Sequence, residues 1–175
     1  LIQMVTGQKL LQTTNIKHTN VIKDLSIQIN LSGLSFCILN KTSNTIEVLY
    51  SIYFDEKFNP NKLLQELLTQ FETKKEFSEP FENVNIIYQN ELCAIVPNEL
   101  FKEEDLENYL KFNVKVLNTD FINFDSLEEV NAKTVFIPYL KINNKLLDEF
   151  NSINYYHSSN ILIDKYIKLN KEKFL

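Results

Sequence analysis

Residues 25–39 read LSIQINLSGLSFCIL, and the rest of the chain is arranged to bury one face of them. Leu25, Ile27 and Ile29 alternate with Ser26, Gln28 and Asn30. Apolar and polar residues alternating with a period of two define a strand buried on one face. Ser32-Gly33 then supplies a turn, because a glycine accepts backbone conformations that a Cβ resists. Leu34, Phe36 and Ile38 resume the apolar face, with Ser35 and Cys37 opposite. After the polar turn at 40–44, a third run places Ile46, Val48, Tyr50, Ile52 and Phe54 on one face. Three strands joined by short turns predict an antiparallel meander with one apolar side to cover.

Downstream, Asn59-Pro60 reads as an N-cap followed by a first-turn proline. Leu63, Leu64, Leu67, Leu68 and Phe71 then share one helical face. That helix is the expected cover for the meander, and 73–80 reads as a loop. Val84, Ile86 and Ile87 predict a strand. The unbroken run Leu92–Val96 predicts a central strand buried on both faces. A second helix is expected from Leu100 to Leu110, with Glu103, Glu104 and Asp105 suiting the positive end of its dipole. Val114 and Val116 predict a short strand, and Thr134–Ile137 another. A helix carrying Leu146, Leu147 and Phe150 follows. A last helix, capped by Ser158-Ser159, carries Ile161, Leu162, Tyr166 and Leu169. Strands and helices mixed in this order predict an α/β layer with a mixed sheet. The lead-in at 1–20 is weakly patterned, with Met4, Leu10 and Leu11 as anchors and His18 as a solvated loop residue.

Composition narrows the function. The chain has 175 residues and a net charge of −5, and it contains no arginine. Phosphate neutralisation needs clustered cations, so nucleic acid is not an expected partner. No apolar run approaches the roughly 18 residues that span a bilayer. Cys37 and Cys93 lie in strand-like runs and form neither a disulfide framework nor a CxxC pair, which places the chain in the cytoplasm as reduced thiols. No histidine and cysteine spacing matches zinc, and neither GxxxxGK[ST] nor GxGxxG occurs.

Four stretches carry a family resemblance: LSIQINLSGLSFCI, VPNELFKEEDLENYLKFNVKVLNTDFI, INNKLLDEF and YYHSSNILIDKY. Together they resemble an uncharacterised bacterial family known as a domain of unknown function, over residues 20–170. Its members are similar to the actin-like ATPase, or ribonuclease H-like, fold. The resemblance implies one ribonuclease H-like subdomain over 20–150. It also implies a connecting helix over 151–175, leading toward a second subdomain not present in this chain. Actin-like ATPases place Asp-x-Gly after the first strand, where the acid anchors magnesium and the glycine backbone approaches phosphate. On that pattern the acid falls on Asn30 and the glycine on Ser32, with Gly33 one place late.

The implied chemistry is therefore weakened. Asn30 is neutral and a poor magnesium anchor, and Ser32 brings a Cβ where close approach is wanted. A ribonuclease H-like nuclease needs an acid in the first strand, whereas Asp24 precedes that strand. The expectation is a non-catalytic binding or scaffold module with a protein partner and no cofactor. The alternative is a nucleotide-binding protein of the actin-like superfamily using ATP with magnesium. Asn30, Ser32 and Gly33 are the candidate ligand-binding residues, with His157 and Ser158 behind them. Self-association as a homo-oligomer is a further expectation, since an unpaired strand edge invites pairing.

Overall fold

The meander forms as β1 (Lys23–Asn30), β2 (Gly33–Asn40) and β3 (Thr45–Tyr53), in a computed structural model that describes residues 21–173. Met4, Leu10, Leu11 and His18 lie outside the described residues. Helix α1 (Pro60–Thr73) follows, then β4 (Asn83–Tyr88), β5 (Cys93–Pro97), α2 (Leu106–Leu110), β6 (Asn123–Leu127) and β7 (Ala132–Phe136). The chain continues through α3 (Leu140–Phe150), β8 (Asn154–His157) and α4 (Ser158–Lys173). A five-stranded sheet runs in the order β3-β2-β1-β4-β8, and a three-stranded sheet in the order β5-β7-β6. The chain divides into two compact units. One comprises 21–87 with Asn144–Tyr155, the other Tyr88–Asn143 with 156–173.

In the first unit, β1 and β2 pair antiparallel from Lys23↔Asn40 to Asn30↔Gly33. Leu25, Ile27, Ile29, Leu34, Phe36 and Ile38 are all buried, as the alternation requires. α1 seats Leu63 and Leu67 in that core, and Asn59 Oδ1 caps it by accepting the N–H groups of Asn61 and Lys62. Phe36 stacks on Tyr50 at 4.9 Å, and Phe77 lies 5.0 Å from it. Phe71 closes the cluster, edge-on to Phe150 of α3 at 5.4 Å. Phe77 sits on a 3₁₀ turn, Lys75–Ser78, within the stretch expected to be plain loop. The opposite face carries Ser26, Gln28, Ser35, Cys37 and Ser51, all half-buried. Both cysteines are free and half-buried.

β3 departs from its expected pattern. Ile38 pairs with Val48 but Leu39 pairs with Ile46, so Glu47 is an extra residue on β3. A bulge of one residue reverses the facing of everything before it. Ile46 therefore shares the outer face with Leu39 and is exposed, instead of joining Val48, Tyr50 and Ile52. The re-aimed Glu47 carboxylate meets the Lys23 ammonium at 2.8 Å and the Asn40 amide at 2.7 Å.

In the second unit, both pairs of the smaller sheet are antiparallel. Val96, Leu110, Val135 and Ile137 form the core of one face, with Ala94, Phe101, Tyr109 and Phe124 packed around them. Three expectations fail here. β5 is an edge strand, not a central one, and Ile95 is 49% exposed. An edge strand against a single helix has only one face to bury. Val114 and Val116 are not a strand; they fold as loop residues onto that core. The helix expected over 100–110 is two 3₁₀ turns, Asn98–Leu100 and Glu103–Asp105, leading into the five residues of α2.

Candidate functional site

The β1–β2 connection is a two-residue loop, Leu31-Ser32, since Asn30 pairs with Gly33. Asn30, Ser32 and Gly33 are thus brought together, but each is committed to the hairpin. The Ser32 N–H donates to Asn30 Oδ1 at 2.7 Å. This side-chain-to-backbone bond is the usual way asparagine closes a turn. The carbonyls of Ser32 and Leu31 accept the N–H groups of Phe54 and Phe58 at 2.9 and 2.7 Å. Phe54 and Phe58 stack at 3.9 Å, and Lys62 sits 3.9 Å above the Phe58 ring.

Gly33 is required for a different reason from the expected one. It does not use a positive φ. A Cβ built on it would stand 2.4 Å from the Ile52 carbonyl oxygen. The glycine lets β3 approach the end of the hairpin; it does not open space for a phosphate. Asp24 lies inside β1, not ahead of it, and accepts the Asn83 side-chain amide at 2.8 Å.

The resemblance to actin-like ATPases implies magnesium and a nucleoside triphosphate, and this turn does not fit them. The residue at the acid position is a neutral amide. The Ser32 N–H already points at that amide. Among the described residues, no group of three or more His, Cys, Asp or Glu side chains is placed to hold a metal ion.

His157 and Ser158 belong to the other unit. The His157 ring is 2% exposed and rests 5.7 Å from Phe136. Its Nε2 lies 3.0 Å from the Asn90 carbonyl oxygen, and its Nδ1 accepts the Ser159 N–H at 3.3 Å. His157 therefore occupies the N-cap position of α4 that Ser158-Ser159 was expected to fill. Burial pushes its pKa below the usual imidazole range, partly offset by the Asn90 carbonyl.

Around it lies a polar cluster that the sequence did not disclose. Thr134 Oγ1 donates to Asn160 Oδ1, and the Asn160 amide donates to the Ser126 carbonyl at 3.0 Å. The Asp125 carboxylate accepts the His157 backbone N–H, and its Oδ2 is buried without a partner. Burial raises the Asp125 pKa to about 6. Cys93 bonds Ser159, and burial raises its thiol pKa, so it is a poor nucleophile. The cluster rests on the pairing Asp125↔Thr134, a register visible only once β6 and β7 are seen as neighbours.

Comparison with known proteins agrees with this architecture. A crystal structure from Bacteroides thetaiotaomicron, of a protein with actin-like ATPase fold and unknown function, is similar at a TM-score of 0.73 and 23% identity. The similarity covers 82% of this chain and 55% of that one, so the chain spans just over half the length of that structure. The fold is the actin-like ATPase, ribonuclease H-like fold. Residues 12–174 match the family described as a protein of unknown function, DUF3822, and the chain belongs to that family. No curated protein matches.

Proposed function

We propose that this chain is a non-catalytic binding module built on half of an actin-like fold, and that it acts by holding a protein partner. The observation that carries the reading is the Ser32 N–H spent on Asn30 Oδ1. An anion site at a turn needs free N–H groups and an acid to place the metal; at this turn the Ser32 N–H is taken and Asn30 carries no charge. The packed core is kept while the turn is closed on itself.

The partner-facing element in this reading is α4. Leu162 is 66% exposed and Tyr166 70%, with Leu169 following. Their i, i+4, i+7 spacing puts them on one helical face. We read α4 as the connecting helix toward a second ribonuclease H-like subdomain, whose docking this face supports. Among the described residues no helix is long and apolar enough to cross a membrane; we place the chain in the cytoplasm.

Calorimetry with ATP and magnesium, with phosphate release followed in parallel, tests the reading. It expects neither binding heat nor turnover. Micromolar binding with turnover favours the second reading, a nucleotide-binding member of the actin-like superfamily, which the fold itself supports.

A further inference from the structure

The His157 ring is held in one protonation state by its two neighbours. The Asn90 carbonyl can only accept, so Nε2 carries the hydrogen. The Ser159 backbone N–H can only donate, so Nδ1 must be bare. A proton added at Nδ1 would point at the Ser159 N–H and delete the acceptor that caps α4. It would also set a cation against the positive end of a 16-residue helix.

The consequences reach beyond the cap. Ser159 is bonded to Cys93 of β5, and Asn160 is bonded to Thr134 of β7 and Ser126 of β6. These three ties join the first turn of α4 to all three strands of the smaller sheet. We propose that His157 is an acid-sensitive latch, whose protonation releases the first turn of α4 from the β5-β7-β6 sheet.

The titratable groups of the surrounding elements are few. Asp125 comes from β6 and Cys93 from β5. Glu91 adjoins Asn90, and the Tyr139 hydroxyl bonds the Asn90 side chain. β7 contributes Phe136 and Thr134, neither charged. Asp164 lies one turn beyond Asn160 on α4, with one carboxylate oxygen buried. Asp125 alone opposes the latch. It takes up a proton as pH falls through about 6, which relieves the cost of burying its charge.

The test is amide hydrogen exchange across α4 between pH 7.5 and 5.5, corrected for intrinsic rates, in the full chain carrying Asp125→Asn. His157→Asn in the same background is the comparison, because asparagine is a good N-cap that does not titrate. The expected result is a loss of protection at 159–163 by about fivefold to tenfold on acidification, the scale of one lost N-cap. With His157→Asn the profile should be flat. Equal profiles in the two proteins, whether flat or falling, overturn the proposal. Should His157→Asn not fold, nitrogen NMR of the parent ring decides. Ring protonation accompanied by loss of α4 protection supports the latch, and ring protonation with α4 unchanged removes it.

Discussion

Asn30 Oδ1 accepts the Ser32 backbone N–H at 2.7 Å, so the residue on which the family resemblance would set the magnesium-anchoring acid serves as a turn lock. Asn30→Asp restores the charge without freeing the N–H, because an aspartate accepts the same bond. The expected outcome is folded protein with no gained ATP turnover in a phosphate-release assay. Asn30→Ala removes the lock and is expected to cost about 1 kcal/mol in chemical denaturation, the net value of one such bond.

Gly33→Ala tests the close approach of β3. The added Cβ would meet a backbone carbonyl, which cannot swing aside as a flexible side chain can. Overpacking of this kind costs about 1–3 kcal/mol. A shift of the urea midpoint to lower concentration is expected; an unchanged midpoint would show that β3 moves freely.

Phe36 is fully buried between Tyr50 and Phe77. Phe36→Ala leaves a cavity where three elements of the first unit meet, and about 3–5 kcal/mol of stability should be lost. Cys37→Ala, on the half-buried opposite face, should change little. The contrast, read in the same urea titration, separates the packed face from the open one.

Much of this was legible beforehand, and the exceptions have identifiable causes. The β1–β2 hairpin and α1 could be read because local signals agree with their tertiary roles: strict alternation in one, and Asn59-Pro60 with a leucine stripe in the other. The bulge at Glu47 could not be read, because Ile46 continues the alternation and only the pairing with Leu39 reveals the slip. β5 was misread because an apolar run does not say whether both faces are covered. β8 reads NYYH, with too little apolar character to mark a strand. The His157 cap depends on Asn90, 67 residues away, and two serines beside it are stronger local candidates. The last helix was expected from the residues that turn out to be exposed, since the side of α4 that docks is carried by Asn160.

Asp125 gives a pH dependence with a defined sign. Its folded pKa is raised to about 6 from an ordinary 3.8, chiefly by burial. A raised carboxylate contributes stability that is present below its unfolded pKa and is lost as pH rises through the folded value. His157 acts oppositely: its lowered pKa contributes stability above the ordinary 6.5, lost as pH falls through its folded value. Asp125→Asn should therefore stabilise the protein relative to the parent at pH 7.5, and the gain should vanish near pH 4. Urea midpoints at the two pH values check this.

The edge strand β3 carries its bulge and its one charge together at Glu47, bound to Lys23. Bulges and charges on an edge discourage pairing with another chain. Light scattering at two concentrations tenfold apart tests the expected self-association: a constant mass is the outcome this edge favours, and a mass that rises with concentration would bear the expectation out.

The central claim is that the hairpin turn offers no seat for a nucleotide, and amide NMR reads it at the atoms concerned. Adding ATP with magnesium to the labelled chain should leave the backbone resonances of Asn30, Ser32 and Gly33 where they were. A saturable shift centred on the Ser32 amide would contradict the account.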